Sequence, residues 1–542
     1  MKGALVTGAA AAAAVALPAC SPAASSDASD AKSSSKGGET TGAKHTWEVA
    51  PEPIADIAET QDFDVVVVGA GLAGINATEA AARNGAKTVV IERNTTFSVR
   101  GVDVGHIGSK HHKSNGFDLD PRVAARFLHQ ASHQTTNYDL IYVWASRSGE
   151  VFDYIEDLGS KNGVSMVPAL SGTAKYGNWS TLSDRWRVYP DAVSFVRGGE
   201  TYDMRDDGQP VNVTLGELVY NSAVDNGAEF VFEARAEQLV GDAASGITGV
   251  VATTKDGKHV QYNAKKGVIL ATGGYDANPE LMEAWTRPED YASSSWWNPG
   301  WGTTGDGHLM GIKAGAQMDP CPQPVMNFRW GNPDSFYDAR TWNAVYFALM
   351  VNGDGKRFVR EDLPFQSVSN AQNAQPDFGK SCWQVFDDTM FEGMEDAVEE
   401  FKQKGWLFEG STPEELAAAC GVDPQGLADT IARYNGFFEA GVDEDFGRDL
   451  AGTIPFTGTR FFALTTNSCV LATVGGLTID GSCRVLDTDD RVIEGLYAVG
   501  NASGNFFAGN YPPSYPWNVH RTRRHVRLRC RRACGERSVK PC

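Results

Sequence analysis

The stretch from Asp64 to Glu92, DVVVVGAGLAGINATEAAARNGAKTVVIE, constrains this chain more than any other. Val65, Val66, Val67 and Val68 form an unbroken β-branched run, which reads as a buried strand. Gly69, Gly71 and Gly74 follow in the spacing G-x-G-x-x-G. The alanine-rich segment after them reads as a helix, and a second apolar run ends on Glu92. Strand, glycine turn, helix, strand and terminal acid together make a βαβ unit shaped for a dinucleotide. Gly69 allows the tight turn, Gly71 lets the backbone approach a pyrophosphate, and Gly74 lets the helix pack closely on the strand. The free N–H groups and the dipole of the helix N-terminus favour that anion. Glu92, 18 residues beyond Gly74, is spaced to accept hydrogen bonds from ribose hydroxyls.

The 542 residues are enough for two domains and a tail, and a formal charge of −20 argues against nucleic acid or an anionic membrane as partner. Residues 4–19 are apolar but short and end in Leu17-Pro18-Ala19-Cys20. This predicts a signal or lipoprotein-type leader over residues 1–20, an exported, extracytoplasmic protein, and a lipid anchor at Cys20. Lys2 is the only charge ahead of the apolar run. A start codon placed too late, cutting off a twin-arginine motif, would account for that. Residues 21–61, rich at first in Ser, Ala, Lys and Gly, read as a flexible linker.

The far end breaks with the rest. Residues 521–542 hold nine Lys/Arg against one Glu, so the remainder is more acidic than the total. Shifted by one base, codons for WNVHRTRRHVR from Trp517 can encode Gly-Thr-Ser-Thr-Gly-Arg-Ala-Val-Thr-Phe-Gly, a glycine loop opening a helix. Residues 517–542 are therefore expected to be a frame-shifted, non-native tail. An intact reading frame through Cys542 refutes this. Leaving out the leader and the tail, Cys321, Cys382, Cys420, Cys469 and Cys483 remain, odd in number and widely spaced. They match no haem or zinc spacing and are expected to be buried free thiols, with no metal site.

A His-, Gly- and Ser-rich segment, Arg100 to Asn115, reads as a solvated or phosphate-facing loop, since its histidines have no carboxylate or cysteine at ligand spacing. Helical stretches follow from Pro121 to about Leu158. LGELVYNSAVDNG reads as a helix and EFVFEARAEQLV as a strand. ITGVVATTKDGKHVQYNAKKGVILATGG reads as a hairpin plus a buried strand closing on Thr272-Gly273-Gly274. VIEGLYAVGN, from Val492, closes on Gly500-Asn501. Three strands ending in glycine turns can converge on one extended cofactor at the carboxyl edge of a parallel sheet. Between them the composition changes: twelve aromatics fall between Trp285 and Phe347, including Trp296, Trp297, Trp301, Trp330 and Trp342. From Glu395 to Ala440 the pattern is helical and acidic, with a helix start at Ser411-Thr412-Pro413-Glu414-Glu415. Residues 285–450 read as an inserted domain covering the cofactor.

These residues together resemble the fumarate reductase/succinate dehydrogenase flavoprotein superfamily, which includes soluble fumarate and urocanate reductases and 3-ketosteroid dehydrogenases. The resemblance is carried by G-A-G-L-A-G with Glu92, A-T-G-G at 271–274, T-G-D-G at 304–307, A-G-A at 314–316 and G-L-Y-A-V-G-N at 495–501. It covers about Asp62 to Pro516. It implies an α/β fold: a Rossmann-like FAD-binding domain (62–284 and 451–516) split by an inserted α+β capping, substrate-binding domain (285–450). It implies FAD, with hydride passing between flavin N5 and an activated C–C bond. It places Gly69, Gly71, Gly74, Glu92, Thr272, Gly273, Gly274, Asp306, Gly500 and Asn501 at the cofactor.

The departures bear on substrate. Where fumarate reductases carry His-Pro-Thr, this chain has Asp319-Pro320-Cys321-Pro322-Gln323-Pro324-Val325. Phe365 stands near their arginine proton donor, and Tyr511 stands where an arginine would clamp a carboxylate. Two cationic dicarboxylate contacts are thus missing. Asp338 and Arg340 resemble the acid–arginine relay of those enzymes, offset by about one residue; a surface ion pair is the competing reading. G-K-R-F-V-R-E-D-L-P-F and G-N-A-S at 500–503 are closer to the ketosteroid branch. Reducing an activated alkene needs a hydride, a proton, and a donor to polarise the carbonyl. Either Tyr511 or Tyr515, as a phenol of lowered pKa, is a candidate for that donor; simple packing in a Pro-rich loop is the alternative. The aromatic cap either lines a flat apolar pocket or forms core.

Only one complete dinucleotide fingerprint is present, and FAD fills it. Electrons are therefore expected from a separate carrier, a cytochrome or an FMN-bearing protein. The functional expectation is an exported respiratory reductase of an activated C=C bond in a small organic molecule. The alternatives are a 3-ketosteroid-type dehydrogenase, or an inactive flavin-binding product that has lost the helix closing the flavin end.

Overall fold

In the computed structural model the described residues are 45–49, 51–99, 104–116, 119–132, 134–168, 193–197, 203–204, 210–211, 213–292, 303–331, 349–361, 363, 365–379, 381–390, 397–448, 450, 453–507 and 511. Residues 1–49 and 50–542 are separate units, the first with a single described 3-10 turn at Thr46–Glu48. The leader and the tail expected from the sequence lie outside the described residues.

The second unit begins with β1 (Ile57–Val68), α1 (Leu72–Arg83) and β2 (Thr88–Ile91). Val66, Val67, Val68 and all of β2 are buried, so the apolar runs drive the pairing. β1 starts five residues inside the expected linker. Its first half pairs with the hairpin strand around His259, and the Ile54 N–H donates to Gln238 Oε1 at 3.0 Å. These bonds order a polar segment whose composition alone reads as linker.

β3 (Glu229–Val231) and β4 (Ala234–Asp242) are separate strands, because Glu233 turns the chain at φ +56°. β5 (Gly246–Thr254) and β6 (His259–Leu270) form the expected hairpin. The buried strand at Gly267 is the continuation of β6, not a further element. Gly267, at φ +137°, stands where one side of β6 leaves its antiparallel partner β5 and takes up a later parallel strand around Leu496, while β1 pairs in parallel along the other side; a Cβ there would lie 2.8 Å from the Gly495 carbonyl. α2 (Asp306–Lys313) then packs its Met310 into the core of this sheet.

The chain next builds a second, antiparallel layer. β7 (Val325–Gly331) pairs with a later strand, and β8 (Leu349–Val351), α3 (Phe365–Asn373), β9 (Trp383–Asp387), β10 (Leu407–Gly410), α4 (Pro413–Cys420) and α5 (Pro424–Ala440) follow. Thr412 caps α4 by accepting the Glu415 N–H, as its sequence predicts. β11 (Phe461–Thr465) completes the sheet β8-β9-β11-β10, whose core includes Phe386, Phe401, Leu427, Tyr434 and Phe462. β12 (Asn467–Thr473) pairs with β7. Sheet membership therefore places the edges of the inserted layer elsewhere than 285 and 450: α2 belongs to the first sheet's core and β11 to the second sheet. Composition misses both because an apolar strand or helix looks alike on either side of a boundary.

β13 (Arg484–Leu486) and β14 (Val492–Ala498) return to the first sheet, whose main path is β13-β14-β6-β1-β2-β3. β14, β6, β1 and β2 run parallel, so their carboxyl ends share one edge. The fold is the expected α/β arrangement, a parallel dinucleotide-type sheet interrupted in sequence by an α+β layer.

Candidate functional site

At that shared edge lies a cavity of about 430 Å³. β1 ends in Gly69, where φ +103° and an Ala271 carbonyl only 2.5 Å from any Cβ exclude other residues. α1 begins at Gly71 with no side chain capping its N-terminus, and Leu72 and Ala73 line the cavity. Glu92, buried at the end of β2, accepts the Ala70 N–H at 2.7 Å and the Asn94 N–H at 2.8 Å. It thus ties the glycine turn to the strand beside it. β6 ends in Thr272-Gly273, and β14 in Gly500-Asn501.

Gly69, Gly71, Glu92, Thr272, Gly273, Asp306, Gly500 and Asn501 all line this cavity. Gly74 and Gly274 stand behind it. A Cβ on Gly74 would sit 1.9 Å from the Gly69 carbonyl, and one on Gly274 would sit 2.2 Å from Thr473 Oγ1. Those two glycines serve packing. Gly71 differs: φ is −74° and a Cβ would meet only Ser98 O, at an ordinary 3.7 Å. Nothing among the described residues requires glycine there, so the requirement is assigned to what enters the cavity. Thr272 Oγ1 is buried with no hydrogen-bond partner among the described residues, another group left for a ligand. An uncapped helix end, a glycine with space only on the ligand side, and an orphan hydroxyl fit a pyrophosphate-bearing dinucleotide.

Arg93, Asn94, Ser98, Asn76, Ala234, Arg235 and Thr303 also line the cavity and were not predicted. The basic residue directly after Glu92 was the one local signal. Arg235 comes from a strand with no motif.

Asp319, noted in the sequence only for the missing histidine, anchors the turn after β14. Its carboxylate accepts the Asn505 N–H at 2.6 Å and the Gly476 N–H at 3.2 Å. This fixes the turn at Asn505, directly ahead of Phe506 and Phe507. Burial raises Asp319 to about 6, against the pull of those two N–H groups. A carboxyl whose folded pKa exceeds its unfolded value of 3.8 stabilises the fold fully below that value and loses the contribution as pH rises through about 6. Relative to Asp319→Asn, the parent should lose up to ~3 kcal/mol in urea unfolding between pH 4 and pH 7. Parallel pH profiles for the two proteins would refute this.

Tyr511 is half-buried, with its ring edge-on to Phe507 at 5.0 Å between centroids. Burial raises its phenol pKa. The expectation of a lowered pKa is thus corrected: apolar surroundings disfavour phenolate, and Tyr511 is a neutral O–H donor at physiological pH. Tyr515, Asp338, Arg340, Trp296, Trp297, Trp301 and Trp342 lie outside the described residues, as do the side chains of Phe365 and Trp330. Trp285 is core, edge-on to Tyr275 at 5.0 Å.

His106 and His112 are fully buried, correcting the reading of a solvated loop. The His106 ring lies tilted by 31° against Phe152, with 3.6 Å between centroids. Among the cysteines, all five described thiols are free, Cys382 and Cys469 are buried, and Cys321 is exposed rather than buried. No helix among the described residues is long and apolar enough to cross a membrane.

Such a sheet edge, with its glycine turns and uncapped helix, defines a dinucleotide-binding flavoprotein. The chain belongs to the FAD binding domain family, whose model matches residues 64–514. It is 26% identical over 498 residues to "Probable fumarate reductase Ifc3" of Shewanella frigidimarina (strain NCIMB 400), covering 86% of this chain and 78% of that protein. It is also 26% identical over 526 residues to the 4-oxocyclohexanecarboxylate 2-dehydrogenase of Sinomonas cyclohexanicum, covering 83% and 89%. A 3-ketosteroid delta1-dehydrogenase from Sterolibacterium denitrificans, solved with 1,4-androstadiene-3,17-dione, shares the fold with a TM-score of 0.66 at 19% identity, over 84% of this chain and 96% of that one. The protein is an FAD-dependent oxidoreductase of the fumarate reductase/succinate dehydrogenase superfamily, acting on C=C/CH–CH bonds of small molecules.

Proposed function

We propose that this protein is an exported respiratory reductase whose substrate is an activated alkene bearing a neutral carbonyl, such as an enone, in preference to a dicarboxylate. Tyr511 carries the reading. A protonated phenol against Phe507 stands where a dicarboxylate enzyme needs a cation. A neutral donor in apolar surroundings suits a carbonyl oxygen, whereas a second carboxylate would be desolvated without a counter-charge. FAD, when bound, supplies hydride transfer at N5. The chain's own part is to hold the substrate, exclude water, and present the Tyr511 O–H to the oxygen that gains negative charge. The Ala-rich leader ending at Cys20 supports export and a lipid anchor. The single dinucleotide fingerprint supports a separate cytochrome or FMN-bearing electron donor.

The test reduces the flavin anaerobically and follows its reoxidation by fumarate, urocanate, cinnamate-like acids and enone steroids. Enones should reoxidise it fastest; fumarate in first place sinks the reading, and fast reduction by NADH alone sinks the separate donor. Tyr511→Phe should lower kcat at least ~100-fold with FAD affinity unchanged. Unaltered turnover removes Tyr511 from the chemistry. The dehydrogenase reading is favoured instead if the oxidised enzyme bleaches with a saturated ketone.

A further inference from the structure

Asp306 lines the cofactor cavity, but the protein already engages its carboxylate. Arg235 Nε and Nη2 donate to it bidentately at 2.9 and 3.0 Å, and Thr304 Oγ1 donates at 2.9 Å. Arg93 Nη1 lies 3.6 Å from the same carboxylate and donates to Thr304 Oγ1 at 2.9 Å. Arg93 leaves the end of β2 directly after Glu92, and Arg235 stands on β4 between Ala234 and Ala236, which also line the cavity. Two guanidinium groups, one following Glu92 and one on β4, thus meet over one carboxylate. Each guanidinium has five N–H donors, and these contacts leave several over. Three donors already engage Asp306, so most of the hydrogen-bonding capacity left around it lies on the two arginines. Their complement is a ligand rich in acceptor oxygens and nitrogens.

We propose that Arg93 and Arg235, bridged by Asp306, are cofactor-binding residues that clamp the ADP half of FAD, and that Asp306 is a positioning residue rather than a cofactor ligand. The carboxylate holds the two guanidinium planes in register, and the planes meet ribose or phosphate oxygens or the ring nitrogens of adenine. A lysine cannot reproduce this at position 235, because it lacks the planar fork that Asp306 grips.

The test uses the full-length protein, stripped of flavin and titrated with FAD, ADP and riboflavin. Arg235→Ala should weaken FAD and ADP about tenfold or more each, the scale of a lost charge-assisted hydrogen bond, and leave riboflavin unchanged. Arg235→Lys should recover only part of that loss. Asp306→Asn should weaken ADP in the same sense by releasing both arginines, and 0.5 M salt should weaken ADP for the parent more than for Arg235→Ala. FAD and ADP affinities within twofold of the parent in both Arg93→Ala and Arg235→Ala overturn the proposal. So does an equal loss of riboflavin affinity, since that reports general damage to the fold. If Arg235→Ala does not fold, Arg235→Lys decides: full parental ADP affinity overturns the clamp.

Discussion

Gly74→Ala should leave the protein unable to retain flavin, while Gly71→Ala should leave it folded and merely poor at binding. The two glycines lie three residues apart in one motif, yet they meet different surroundings. A Cβ at position 74 would be 1.9 Å from the Gly69 carbonyl and 3.2 Å from Ala271 Cβ, both parts of the turn that floors the cavity. Neither neighbour is the far end of a flexible chain, so α1 must move off β1. Overpacking of this kind costs ~1–3 kcal/mol or more, and here the displacement carries the helix N-terminus away from the pyrophosphate position. The expected result is a lower Tm in the flavin-free protein and an FAD Kd raised at least ~100-fold. At position 71 the nearest atom among the described residues is 3.7 Å away and the backbone is extended, so the flavin-free Tm should be close to that of the parent. Its methyl group points into ligand space, and the FAD Kd should rise at least ~10-fold. Calorimetry of the stripped proteins and flavin titration measure the two effects separately. Equal stability losses in both variants would show that the glycines share one packing role.

That division of labour within G-x-G-x-x-G was legible from the spacing, since each glycine acts on atoms within a few residues or on the ligand. The converging turns at Gly69, Thr272 and Gly500 were legible for the same reason: each closes an apolar run at a glycine. What the sequence hid depends on pairing at long range. Arg235 reaches Asp306 across 71 positions, Arg93 reaches Thr304 across 211, and Asp319 holds Asn505 across 186. No periodicity marks such partners. Gly267 looked like the start of a strand because a glycine before an apolar run reads as a turn. It instead lies inside one continuous strand, where the partner on one side changes from antiparallel β5 to parallel β14. Tyr511 is a candidate by position alone, and the direction of its pKa shift depends on its burial, which the sequence does not reveal.

The inserted layer makes the opposite demand, that a set of charges stay complete. Glu361→Gln should destabilise it by ~3–5 kcal/mol while the flavin cavity stays intact. Arg357 donates from Nε and Nη2 to the two Glu361 oxygens at 2.7 Å each, and from Nη1 and Nη2 to Asp443 at 3.0 and 2.8 Å. Arg448 Nη1 adds a bond to Glu361 Oε2 at 3.2 Å. The side chains of Arg357, Glu361, Asp443 and Arg448 are 4, 0, 0 and 3% exposed, so solvent cannot replace a lost partner. Burial alone would raise Asp443, yet Arg357 and the Arg448 and Phe446 N–H groups overcome it and hold the carboxyl at about 2. Removing the Glu361 charge takes from both buried arginines a carboxylate they share, which costs far more than the net worth of an intact buried pair. The consequence should be local. Glu361 lies four residues before α3, whose Gln366 accepts the Asn327 N–H from β7 at 2.8 Å, so the cluster fixes how α3 sits on the β7–β12 ribbon. Cavity residues come from the other sheet and do not depend on it. Hydrogen exchange should therefore accelerate across β8–β11 in Glu361→Gln with flavin stoichiometry unchanged. Unchanged exchange in that layer, or flavin loss in step with it, would mean that the two sheets unfold as one cooperative unit and that the charge cluster has no local role.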